Sequence, residues 1–176
     1  LSNGRYILKD LANLALNTAS TRGATYADVR IVERREQNTR VKNGAVTSAS
    51  DTQNRGFGVR VIADGAWGFA AGARLDKDGV EQTTALAVKI ARASALTHRT
   101  PVNIGPPVTS QGAYRTPVEI DPFSVSIEEK IDLLLEADRA CRHVPGVKVA
   151  HGALVCLRER KTFANTEGAF TEQDII

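Results

Sequence analysis

Two dipeptides constrain this chain more than any other feature: Asn43-Gly44 and Asp64-Gly65. Each lies between runs of strand-like alternation, "DVRIVERREQNTRVKNGAVTSAS" and "GFGVRVIADGAWGFAAG". A two-residue type I′ turn needs positive φ at both central residues, and Asn-Gly and Asp-Gly tolerate this best. The segment therefore predicts two hairpins in tandem, an antiparallel meander of four strands. A two-residue turn at Asp64-Gly65 also fixes the register. Ile62 faces Trp67, Arg60 faces Phe69 and Gly58 faces Ala71 on one side. Phe57, Val59, Val61 and Ala63 meet Ala66, Gly68, Ala70 and Gly72 on the other. Aliphatics opposite small residues make a surface on which a helix can settle closely, so this second face is assigned to the core.

Helical periodicity flanks the meander. From Tyr6 to about Thr21, residues Ile7, Leu8, Leu11, Leu14, Ala15 and Leu16 follow helical spacing, and Gly23 supplies a stop. Asp78-Gly-Val-Glu81 reads as a capping box opening a second helix to about Leu96, its face carrying Val80, Ala87, Ile90 and Ala91. Residues 98–125 contain five of the six prolines and no periodicity, as in a linker or extended crossing segment. Ser126-Ile-Glu-Glu129 is a further capping box, starting a helix with Ile127, Ile131, Leu134, Leu135 and Cys141 that ends at Val144-Pro145-Gly146. Two strands follow, "KVAHGALVCLRER" and "KTFANTEGAFTEQDII". The fold class is α+β: a helix, meander and helix over 1–97, a proline-rich segment over 98–125, and the start of a second helix-strand-strand unit over 126–176. Shifting the second half by 124 positions aligns helix, strand and turn glycine, Gly44 with Gly168, as a duplicated unit would.

With 42% hydrophobic and 24% charged residues the chain has the composition of a soluble globular protein. No run approaches the roughly 18 apolar residues of a membrane-spanning helix, and no secretory leader pattern is visible at the N-terminus. Two cysteines are too few for a disulfide scaffold and fit a reducing cytoplasm. The chain opens without Met and closes on the strand-like "FTEQDII", so it is expected to be a piece of a longer protein.

Signals for chemistry are absent from the segment. Gly56 and Gly58 are followed at the third place by Val61, and a strand rather than a helix comes next, which excludes a dinucleotide-binding loop. Cys141, His143, His151 and Cys156 imitate a zinc set, but the cysteines lie in apolar helix and strand positions and are read as core residues. No His-Glu-x-x-His is present, and no serine sits in Gly-x-Ser-x-Gly. No catalytic or metal-binding residue is assigned, and no cofactor.

Two candidate contact surfaces remain. The first joins Trp67, Phe69 and Arg60, whose guanidinium can lie over an aromatic ring; burial under another element is the competing reading. The second is the polar strand over 29–42, with Arg30, Arg34, Arg40 and Lys42 on one side. This stripe can meet phosphates, although Glu36 interrupts it and no aromatic side chain is interleaved. As an edge strand it would be solvated, or would accept an extended peptide by backbone pairing.

In succession, "GATYADVRIVERRE", the Asn43-Gly44 turn, "RGFGVRVIADGAWGFAAG", "VEQTTALAVKIARAS", "DPFSVSIEEKIDLLLEAD" and "RERKTFANTEG" resemble the TldD/PmbA family, long named as candidate modulators of DNA gyrase. "DPFSVSIEEK" and "GVRVIADGAWGFA" look closer to the TldD branch. The resemblance covers nearly the whole chain. It implies a cytoplasmic zinc metallopeptidase built from two related subunits, which degrades or processes peptides threaded into a central cavity. It also implies a His-Glu-x-x-x-His motif C-terminal to the region seen here, so no family catalytic or zinc residue transfers to any position. The segment is then expected to be inactive alone, with zinc in the full-length protein. Arg60, Trp67, Phe69, Arg34 and Arg40 become candidate contacts for peptide or partner subunit. The alternative is a regulatory module that binds DNA gyrase or DNA.

Overall fold

The computed structural model describes residues 3–97 and 100–176. Among these described residues three helices and six strands follow in the order α1 (Asn3–Thr21), β1 (Tyr26–Lys42), β2 (Ala45–Ala63), β3 (Ala66–Gly72), α2 (Lys77–Ala95), β4 (Gln111–Arg115), α3 (Ile127–Arg142), β5 (His151–Asn165) and β6 (Phe170–Ile175). The strands form one sheet in the order β3-β2-β1-β5-β6-β4. The fold is α+β, with tandem hairpins packed against helices.

Both predicted turns form as type I′. Asn43 and Gly44 have φ of 49° and 82°, Asp64 and Gly65 of 52° and 79°. Their hairpins share one strand of 19 residues, β2, so the meander has three strands rather than four. Nothing between Thr47 and Arg60 supplies a turn, and β2 runs unbroken from one Gly-containing turn to the next. The last two strands also divide later than the sequence suggests, because β5 continues through Lys161 to Asn165 and the chain turns around Gly168 at φ 102°. The proline-rich segment is not purely a linker: Gln111–Arg115 pair in parallel with Phe170–Asp174 of β6.

Residue contacts divide the chain into two compact units. The first comprises residues 1–33, 55–115 and 160–174. Its core is built from alanines of α1 (Ala12, Ala15, Ala19), the inward residues Val29 and Ile31 of β1, Phe57, Val59 and Val61 of β2, and Val80, Ala87 and Ala91 of α2. Helix α2 lies on the hairpin face predicted for it. It starts two residues earlier than the capping box suggests, because extended Asp76 is the N-cap and accepts from the Gly79 amide at 2.8 Å. Ile90 is 38% exposed, and Thr84 and Val88 take the buried positions instead.

The second unit comprises residues 34–54, 116–159 and 175–176. Ser126 and Glu129 form both halves of the predicted capping box of α3. Its fully buried residues, however, are polar: Lys130 and Asp138. Ile127, Ile131, Leu134 and Leu135 are only half-buried, and Cys141, expected in the core, is exposed. The reason is a polar layer beneath the helix. Lys130 Nζ donates to Gln37 Oε1, and Lys130 and Arg35 both lie over the Phe123 ring, Arg35 at 4.9 Å from the centroid. Burial of the long Lys130 stem excludes water as a leucine would.

Asp51 terminates that layer, accepting from Arg35 Nη2 at 2.6 Å and Gln37 Nε2 at 2.9 Å. The Arg35 hydrogen bond, then that of Gln37, hold its carboxyl at about 2 against an ordinary 3.8. A depressed carboxyl lends stability above its unfolded value and loses it as pH falls through the folded one. The contribution of Asp51 is therefore expected intact above 3.8 and gone near 2. Carbon-detected NMR titration should show this midpoint, and Arg35→Gln should raise it; a wild-type midpoint near 3.8 would contradict the pairing.

Candidate contact surface

The β2–β3 register is the one expected from the turn: Ile62 opposite Trp67, Arg60 opposite Phe69, Gly58 opposite Ala71. Alternation sends these residues to the sheet face away from α1 and α2. There the Arg60 guanidinium lies 4.7 Å from the Trp67 ring centroid, and Tyr26 of β1 meets Trp67 edge-on at 5.9 Å with planes at 88°. Phe69 leans across the strand pair onto Gly58. A Cβ at Gly58 would stand 2.8 Å from Phe69 Cε2, so the absence of a side chain lets the ring lie flat. Phe69 nevertheless remains 57% exposed.

What holds Arg60 in place is Asp28, which the sequence reading did not select. Asp28 is 1% exposed and its Oδ2 accepts from Arg60 Nε at 2.8 Å and from the Tyr26 hydroxyl at 3.1 Å, with Arg60 Nη2 at 2.6 Å. Its Oδ1 lies 3.3 Å from Arg30 Nη1. Arg30 in turn sits over Phe163 of β5, 5.2 Å from the centroid. Across neighbouring strands the face therefore reads aromatic, arginine, aspartate, arginine, aromatic. Burial, then the Asp28 carboxylate, raise the Tyr26 phenol above its ordinary 10.0. For Arg60, burial opposes the charge, and the hydrogen bond and attraction of Asp28 more than offset it, leaving the guanidinium raised.

The sequence held one signal for this cluster. In "YADVR", Tyr26, Asp28 and Arg30 alternate onto one face of a strand. Their partners Arg60 and Phe163 come from strands paired only in the tertiary structure.

Arg34 and Arg40 lie in the second unit, both exposed, with Arg34 Nη2 at 3.3 Å from Glu36. The strand that carries them is not an edge. β1 sits between β2 and β5, so its backbone groups face paired strands on both sides and cannot take a further peptide strand. A separate open cleft of about 670 Å³ in the first unit, between Leu8 and Leu11 of α1 and Tyr114 of β4, has Arg115 and Arg160 on its wall, both directed at Asp174. Among the described residues no three His, Cys, Asp or Glu side chains converge as metal ligands, and Cys156 is buried within β5. Nor is any described helix long and apolar enough to cross a membrane.

This fold belongs to a known class of domain. Residues 27–91 match PmbA/TldA metallopeptidase domain 1 and residues 120–175 match the PmbA/TldA metallopeptidase central domain. The chain belongs to the PmbA/TldD family. A metalloprotease of Archaeoglobus fulgidus is 30% identical over 117 residues, 66% of this chain and 25% of that one. A metalloprotease of Methanothermobacter thermautotrophicus is 28% identical over 148 residues, 84% and 31% respectively. Among solved structures, TldE from Thermococcus kodakarensis superposes with a TM-score of 0.74 at 17% identity, over 96% of this chain and 37% of that one. A Thermotoga maritima protein described as a candidate modulator of a DNA gyrase gives 0.76 at 18%, with the same coverages. The chain thus spans about a third or less of the curated relatives it matches.

Proposed function

We propose that this chain is the noncatalytic N-terminal part of a longer, cytoplasmic TldD-like zinc metallopeptidase that degrades or processes peptides together with a related subunit. Its role is contact: the face of Arg60, Trp67 and Phe69 guides peptide substrate or seats the partner. One observation carries this reading. A large aromatic ring is held flat and 57% exposed beside a guanidinium pinned by a buried carboxylate. Exposed aromatic and arginine side chains of fixed geometry concentrate binding energy, because little conformational freedom is lost on contact. The metalloprotease relatives support the class. Metal chemistry in this reading belongs to parts of the protein beyond this chain.

The test is Phe69→Ala in the full-length protein. Peptide hydrolysis is expected to lose about tenfold in kcat/KM, or subunit association to weaken about tenfold by sedimentation, as a contact worth about 1.4 kcal/mol requires. The thermal midpoint should not move, since the ring is mostly in solvent. Unchanged hydrolysis and unchanged association would remove the face from function.

A second reading, a regulatory module binding gyrase or DNA, is supported by the exposure of Arg34, Arg40 and Lys42 on β1. It requires DNA binding that weakens steeply with salt and disappears on charge reversal at Arg34 and Arg40.

A further inference from the structure

The Asp28 cluster has more positive charge than it needs. One buried carboxylate faces two guanidinium groups, Arg30 on Oδ1 and Arg60 on Oδ2, which leaves a surplus of one. Neither arginine is buried with it: their side chains are 46% and 40% exposed. Each is stacked on an aromatic ring, Phe163 for Arg30 and Trp67 for Arg60. Arg60 turns its Nε and Nη2 toward Asp28. Its Nη1 lies outside that fork. Arg30 meets Asp28 through Nη1.

From this geometry we infer that Arg30 and Arg60 form an anion site for one carboxylate of a peptide, an acidic side chain whose apolar neighbour lies on Phe69. The inference rests on the reading of this face as a peptide contact and names the kind of peptide. Three physical points support it. A guanidinium matches a carboxylate in a planar, charge-assisted pair. Both guanidinium groups are already held by Asp28 and by stacking, so binding forfeits little side-chain entropy. The surplus of one charge suits one carboxylate; a nucleic acid derives its affinity from several neutralised phosphates and would need a longer basic tract.

Trp67 is the only tryptophan of the chain and lies directly under Arg60, so its fluorescence reports occupancy of the site. The chain is titrated with acetyl-Gly-Phe-Glu-Gly-amide, with the same peptide carrying Gln in place of Glu, and with a fifteen-residue oligothymidylate. The Glu peptide is expected to shift the Trp67 emission with a salt dependence of about one ion. The Gln peptide should bind about tenfold more weakly or worse, in line with loss of a charge-assisted pair. Arg30→Gln should weaken the Glu peptide by a similar factor while circular dichroism stays unchanged and the thermal midpoint falls by about 2–4 °C at most, and Arg30→Lys should restore part of the binding. Equal binding of the Glu and Gln peptides overturns the inference. So does indifference to Arg30→Gln, or preference for the oligonucleotide with a salt dependence of several ions. If the Glu preference holds while Phe69→Ala leaves the full-length protein unaffected, the proposed function fails and the anion site stands; the converse pair of results separates them the other way.

Discussion

Gly68→Ala is expected to destabilise the protein by about 3 kcal/mol, at the upper end of what one extra methyl does in a filled core. The added Cβ would stand 2.1 Å from the Ala87 carbonyl oxygen and 2.5 Å from the Ala91 amide nitrogen. Both are backbone atoms of α2, so no rotamer change relieves the clash and the helix must move as a body. Moving it opens the layer in which Val59, Val61, Val80, Ala87 and Ala91 are all essentially inaccessible to water. For a chain of this size the loss corresponds to a fall in thermal midpoint of about 6–12 °C. Ala71→Ser, on the exposed side of the same strand, should stay within about 0.5 kcal/mol. A Gly68→Ala midpoint within two degrees of wild type would show that α2 does not rest on that backbone.

Removing the carboxylate at the centre of the contact surface should cost nearly as much. Asp28→Ala leaves Arg60 and Tyr26 without their buried acceptor and Arg30 without its counter-charge. Breaking a fully buried ion pair by deleting one partner costs about 3–5 kcal/mol. Here the two arginines are 40–46% exposed and recover hydration, so about 2 kcal/mol is expected, chiefly from lost charge-assisted hydrogen bonds. Asp28→Asn retains an acceptor oxygen and should lie between the two. Urea unfolding followed by Trp67 fluorescence measures both the loss and the release of Arg60 from the ring. The Tyr26 phenol, raised by burial and then by Asp28, should titrate lower in Asp28→Ala. A variant as stable as wild type, with unaltered Trp67 emission, would contradict the central role given to the carboxylate.

These two residues also mark what was legible in the sequence. Gly68 is readable because its neighbourhood is local: a two-residue turn sets the register, and register places glycine among the small residues of the helix-bearing face. The same logic placed Arg60 beside Trp67 and Phe69. Asp28 was not readable as a site residue, because Arg60 lies 32 positions away on β2, beyond the Asn43-Gly44 turn, and the Phe163 ring that carries Arg30 lies on β5. α3 shows the opposite failure. Its apolar spacing is real, yet the side chains it buries are Lys130 and Asp138, since Gln37 offers an acceptor and Phe123 a ring to the cation.

By itself the sequence determined both type I′ turns, the pairing of β2 with β3, the capping of α3 and the face on which α2 rests. All follow from short-range sterics, positive φ at Asn43, Gly44, Asp64 and Gly65 above all. Only the tertiary structure decided that β5 covers the far edge of β1, that β4 pairs in parallel with β6, and that Arg30 and Arg60 converge on one buried aspartate. Such choices depend on which distant strands satisfy each other's backbone groups and charges, and no local pattern encodes a partner so far along the chain.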